Sequence, residues 1–184
     1  MDAITALTSR SSSARLTEPA PSGRDREAIF RASLSAPDHA GLKPWRFLTV
    51  EGERRQQLGE KMAAAALLAD PTLDPVKQEK LLNAPLRAPL LVIAVANIQA
   101  HPKVPEIEQL LATGAAVSQM LVAVHALGYA AIWRTGAMAF SRHFMDSIGL
   151  DKNEQIVGFV YMGTAAGNTK TLKEYQTADF YREW

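Results

Sequence analysis

Hydrophobic and polar positions alternate in several rhythms along the chain, and each rhythm predicts an element. Ile4 and Leu7 share one face of a short helix over residues 2–9. Glu18-Pro19-Ala20-Pro21 is extended or turn-like, because proline disfavours helix at the residue before it. Ser22 and Asp25 have capping-box spacing and open a helix carrying Ile29, Phe30 and Leu34, which stops before Pro37. Residues 36–44 form a loop. Residues 45–50 alternate as a strand, with Trp45, Phe47 and Thr49 set against Arg46, Leu48 and Val50. Gly52 breaks it, a helix follows over 53–68, and a shorter one over 76–82. Residues 89–97 contain Leu-Leu-Val-Ile-Ala-Val-Ala without alternation, the pattern of a strand buried on both faces.

The longest apolar run predicts a helix from Pro105 to Leu127. Pro105 suits the first helical position, Glu106 and Glu108 suit the positive end of the dipole, and Gly128 suits the position after the C-cap. At about 1.5 Å per residue this helix is roughly 35 Å long. Its second half is apolar on nearly every side, so it needs cover all round, part of it from a second subunit. Thr113, Ser118, Gln119 and His125 interrupt the run and favour a soluble core over a membrane span. A strand over 129–134, a helix capped by Ser141 and running to 148, and a strand over 155–162 complete the pattern. Residues 164–184 have no period but carry Tyr175, Phe180, Tyr181 and Trp184, so this tail is expected to dock on its own domain or on a partner. The class is α+β: a small central, mostly antiparallel sheet flanked by helices, with a long buried core helix, in one domain over 1–184.

Composition narrows the options. The chain is 47% hydrophobic and 21% charged, which excludes wholesale disorder. A net charge of +1 argues against a surface devoted to nucleic acid or an anionic membrane. The absence of cysteine removes disulfides, thiolate metal sites and thiol nucleophiles. Residues 1–4 lack the basic and apolar regions of a secretory signal, so a cytoplasmic location is expected.

Side-chain chemistry is sparse. Gly158 and Gly163 belong to the last strand and its end, so no glycine-rich phosphate loop precedes a helix. His39, His101, His125 and His143 lack ligand spacing, and no metal site is expected. His125 reads as a hydrogen-bonded core histidine. No carboxylate pair or nucleophile stands out, so no catalytic side chain is assigned. The chain is either not an enzyme or leaves its chemistry to a cofactor.

Three segments could hold one. Arg10-Ser11-Ser12-Ser13-Ala14-Arg15 offers a guanidinium and hydroxyls for a phosphate, or is a solvated turn. Residues 36–47 form a proline-bounded polar loop leading into Trp45, or a rigid connection. Residues 128–136 are a strand ending in Trp133-Arg134-Thr135-Gly136, or a plain sheet edge.

These three segments, with Tyr161-Met162-Gly163-Thr164 at the end of the last strand, resemble the nitroreductase family of flavin enzymes. The resemblance is closest to its small, minimal branch of NAD(P)H nitroreductases and runs from Met1 to about Gly163. It implies FMN, NADH or NADPH as co-substrate, and a homodimer with the flavin at the subunit interface. It matches Arg10, Ser11 and Ser12 to the flavin phosphate and ribityl site. Ser35 and His39 match positions beside the flavin, and Trp133, Arg134 and Thr135 a further FMN segment. Ala123, Val124, His125, Ala126, Leu127 and Gly128 match a stretch assigned to the nicotinamide nucleotide. The sequence departs from the family pattern at Ser11, where a second arginine is usual. It departs again at Ser35, Asp38, Gly41, Lys43 and Ala165, where arginine, serine, asparagine, glutamine and proline are usual.

The expected function is FMN-dependent transfer of hydride from NAD(P)H to a small-molecule acceptor, nitroaromatic or quinone-like. The alternative is a non-catalytic FMN-binding carrier or sensor. A non-flavin interaction module is a third reading.

Overall fold

Seven of the eight residues of Leu90–Asn97 are buried, and this strand is the centre of the molecule. The computed structural model describes residues 1–167, 172 and 174–184. In chain order its elements are α1 (Ala3–Ser9), β1 (Leu16–Thr17), α2 (Gly23–Ser33), β2 (Trp45–Glu51), α3 (Arg54–Ala69) and α4 (Pro75–Asn83). They continue with β3 (Leu90–Asn97), α5 (Glu106–Ala126), β4 (Ala130–Arg134), α6 (Arg142–Ser147) and β5 (Glu154–Ala165). All strand pairs are antiparallel. β3 lies between β2 and β5, β4 pairs with β5, and the short β1 pairs with the last residues of β5.

The unbroken apolar run of β3 has a simple cause. Leu91, Ile93 and Val95 face a core shared with Leu58, Met62 and Ala65 of α3 and Phe144 of α6. Leu90, Val92 and Ala94 face a second core shared with Ile29 of α2 and Val117, Met120 and Val124 of α5. Successive side chains point to opposite faces, so helices on both sides demand apolar residues at every position. In β5 a bulge moves the register from Ala94↔Gly158 to Val95↔Ile156. Ile156 and Phe159, three residues apart, consequently face the same core.

Caps explain several boundaries. Asp2 accepts from Thr5 N–H at 3.0 Å, Asp74 from Val76 N–H at 2.7 Å and Ser141 from Phe144 N–H at 3.2 Å. The capping box expected at Ser22 does not form. Ser22 makes no side-chain cap, and Asp25 instead accepts from the Tyr129 hydroxyl at 3.0 Å, tying α2 to the entrance of β4. Pro105 is the N-cap of α5 rather than its first helical residue.

The α5 helix has the length and hydropathy of a membrane span, yet Val117, Met120 and Val124 on its inner face are core residues. Its outer face carries exposed Ile107 and Leu111. Ile4 and Leu7 of α1 are exposed too, and Ala6 is the buried residue of that helix. In the second half of α5, whose pattern asks for all-round cover, Val117, Met120, Leu121 and Val124 are buried and Val122 and Ala123 half-buried, so the chain supplies much of that cover; the uncovered apolar side chains Ile107 and Leu111 lie in the first half. In the tail, Thr164 and Ala165 belong to β5 and pair with β1, while Tyr175, Phe180, Tyr181 and Trp184 are exposed. Residues 168–171 and 173 of that tail lie outside the described residues.

Candidate functional site

The strand β4 joins two of the three segments singled out from the sequence. Ser13 N–H donates to the Ala131 carbonyl at 3.1 Å, which lays residues 10–15 along β4. Arg10 ends α1 in an extended conformation and has no acidic partner among the described residues. Arg10 is half-buried, and neither its side chain nor the Ser11 and Ser12 hydroxyls make a hydrogen bond among the described residues.

At its other end β4 delivers Trp133, Arg134 and Thr135 to a cavity of about 700 Å³. That lies within the roughly 300–1,000 Å³ usual for small-ligand sites. Its floor is Phe159 and Tyr161 of β5, and its walls come from Met62 and Ala66 of α3, Leu73 and Leu81, and Met138. The indole of Trp133 turns to the opposite face. It packs over Gly158 and against Gly114 of α5, and its N–H donates to the Val157 carbonyl at 3.3 Å. A Cβ at Gly158 would lie 1.9 Å from Trp133 Nε1, so only glycine permits this seat. Arg134, the next residue, points the other way by strand alternation, into the cavity. Gly136 follows at φ 75° and ψ 179°, a region open essentially to glycine, and turns the chain away along the rim.

The cavity also gathers residues that sequence reasoning did not single out. Lys77 and Lys80 of α4, and Arg87 on the turn that follows, join Arg134 around it, and among the described residues no carboxylate lines it. Burial pushes the Tyr161 hydroxyl above its ordinary pKa, partly offset by the nearby charges of Arg87 and Arg134. The i, i+3 spacing of Lys77 and Lys80 puts them on one helix face. Which cavity that face meets depended on how α4 folds back on α3.

Ser35 and His39 lie elsewhere. Ser35 donates to Gln119 of α5 at 3.1 Å, and His39 Nδ1 is 2.6 Å from Glu108 Oε2. Both sit on the α2–α5 layer, across the sheet from the cavity floor. One chain does not bring them to Arg134. Loop 36–44 is held by Asp38, which accepts from Lys43 N–H at 2.6 Å, with Ala40 and Lys43 both at positive φ.

The segment Ala123–Gly128 is the end of α5. Val124 is fully buried, and Ala123 and Ala126 line a shallow depression beside α1. His125 Nε2 is 2.8 Å from Ser9 Oγ, the hydrogen-bonded histidine expected from the sequence. Leu127 and Gly128 are the exposed part of the segment.

A five-stranded antiparallel sheet with helices on both faces and a long core helix is a nitroreductase-like fold. The chain belongs to the nitroreductase family, whose model matches residues 7–164. It is 40% identical over 164 residues, 89% of this chain and 88% of the relative, to the Escherichia coli K12 protein named "Putative NAD(P)H nitroreductase YdjA". It is 34% identical over 180 residues, 97% of this chain and 96% of the relative, to a Haemophilus influenzae protein named "Putative NAD(P)H nitroreductase". Among solved structures it resembles a nitroreductase-like family protein from Bacillus cereus, with a TM-score of 0.84 at 18% identity, covering 100% of this chain and 96% of that one.

Proposed function

We propose that this protein is an FMN-dependent NAD(P)H oxidoreductase that reduces a nitroaromatic or quinone-like acceptor. When bound, FMN would supply two-electron redox chemistry between NAD(P)H and the acceptor. The residues present fit such a group: an arginine and two serine hydroxyls beside β4 that have no partner among the described residues, and an apolar cavity at its end. In this reading Arg10, Ser11 and Ser12 hold the phosphate and ribityl chain. Arg134, Thr135 and the main chain at Trp133 border the ring, and the cavity excludes water from it. No side chain need act as acid or base. Of the segment Ala123–Gly128, a nicotinamide nucleotide could touch Leu127 and Gly128 while Val124 stays in the core.

The observation that carries the reading is the position of Ser35 and His39 across the sheet from Arg134. If all of them serve one flavin, two copies must share it. A homodimer does this and also covers Ile107 and Leu111 of α5 and Ile4 and Leu7 of α1. The chain is then a single flavin domain, 1–184, and of the extension 164–184 the part after β5, with Tyr175, Phe180, Tyr181 and Trp184, packs on the partner subunit. A cytoplasmic site of action agrees with a chain that has no cysteine.

The test is anaerobic addition of NADH or NADPH to the purified yellow protein. Bleaching at the oxidised-flavin bands, reversed by a nitroaromatic or quinone, is expected. A flavin that stays oxidised would make the protein a carrier or sensor.

A further inference from the structure

The cavity at the end of β4 carries more positive charge than the residues assigned to the flavin require. Arg134 belongs to that assignment; Lys77, Lys80 and Arg87 do not. None of the three forms an ion pair among the described residues. The charge of Lys77 acts on Asp70, whose carboxylate is engaged by the Thr72 hydroxyl at 2.7 Å and the Thr72 N–H at 2.9 Å. Among the described residues no carboxylate lines the cavity to balance these cations. An independent observation sits on the floor. Tyr161 is only 4% exposed as a residue, but it lines the cavity, and its hydroxyl opens to that space with no hydrogen-bond partner among the described residues. Around these polar groups the surface is apolar: Met62, Leu73, Leu81, Met138 and Phe159. An aromatic body with an anionic substituent satisfies all three features together. The ring takes the apolar wall, the anion takes the cationic rim, and the phenol hydroxyl donates to an oxygen of either.

We infer that the acceptor is an anionic aromatic, a carboxylated or sulfonated nitroaromatic or quinone, recognised by Lys77, Lys80 and Arg87 with Tyr161 as hydrogen-bond donor. The inference rests on the flavin reading above, deepening it from an acceptor of unspecified charge to one that is negative.

The experiment compares 4-nitrobenzoate with neutral 4-nitrobenzamide as acceptors for the flavin-loaded protein. The wild type should favour the benzoate in kcat/KM, and raised salt should erode that preference. A charge-assisted hydrogen bond contributes about 1.5–3 kcal/mol. The Lys77→Gln/Lys80→Gln variant and Arg87→Gln should therefore each lower the benzoate-to-benzamide ratio about tenfold or more. Tyr161→Phe, which keeps the packing, should raise KM for the benzoate. Equal losses on both acceptors would overturn the inference. So would variants that purify without flavin, because the cations would then belong to the flavin's own site. Should the wild type itself bind no flavin, the flavin reading fails separately. Calorimetric titration of 4-nitrobenzoate into the chain then decides: binding lost in the lysine variant supports an anion site, and no binding refutes it.

Discussion

Arg10 is where a single residue matters most for the cofactor. It is half-buried, carries no acidic partner among the described residues, and sits next to Ser9, which His125 holds at 2.8 Å. Arg10→Ala should weaken FMN binding by about 1.5–3 kcal/mol, the range for a hydrogen bond to a charged group. That is a rise in Kd of about tenfold or more, read by fluorescence titration of the apoprotein with FMN. Arg134→Ala should act in the same direction, and unchanged constants for both variants would remove the assignment of these arginines to the flavin. The released flavin should chromatograph as FMN and not FAD. A second residue-scale prediction concerns Glu154, whose side chain is 4% exposed. Burial alone would raise its pKa. Hydrogen bonds from Arg46 and the Asp151 N–H, with the charges of Arg46 and Arg142, hold it below the ordinary value instead. A depressed folded pKa means stability that is present above the unfolded value, about 4.3. It is lost as pH falls through the folded value. Glu154→Gln should lower Tm at neutral pH, and the difference from wild type should shrink in acid. A constant difference across the titration would sink this account.

At the scale of elements, the seat of Trp133 joins β4, β5 and α5. Gly158→Ala places a methyl group where the indole now lies, so the indole must leave. Overpacking of this kind costs about 1–3 kcal/mol. Tm should fall, and the fluorescence of Trp133 should shift to the red as the ring is exposed. Combining Gly158→Ala with Trp133→Leu should cost less than the sum of the two, because the clash is gone. Strict additivity would show that the two residues do not share the seat. Gly163 is constrained in the same way, since a Cβ there would lie 2.7 Å from the Thr17 carbonyl. Both glycines could have been read from the sequence as sites of close approach in a strand, but not what approaches them.

For the whole molecule, the exposed apolar positions set the expectation. Ile107 and Leu111 of α5, Ile4 and Leu7 of α1, and the tail aromatics Tyr175, Phe180, Tyr181 and Trp184 all face solvent in one chain. Sedimentation equilibrium should give twice the chain mass of 20.0 kDa. Deletion from Lys170 onward should weaken the dimer and loosen FMN together. A full-length monomer that holds FMN tightly would defeat this, and so would a truncation that changes neither property.

Much of this was legible in the chain because it depends on short-range physics. The unbroken run of β3 required helices on both faces, and two helix layers are found. Asp2 and Ser141 fixed helix starts through bonds to residues three positions away. Four ordered motifs carried the family, whose model matches residues 7–164. Tertiary structure alone decided what depends on distant elements meeting. Asp25 left its local cap for Tyr129, 104 residues on, because the return of α5 into β4 brings that hydroxyl within reach. Lys77, Lys80 and Arg87 became a cationic rim only when α4 folded against α3 beside the end of β4. Ser35 and His39 went to the far side of the sheet because β3 and β5 lie between them and Arg134. Periodicity records which face of an element is apolar; which other faces it meets is settled only by packing, where each choice removes the most apolar surface from water.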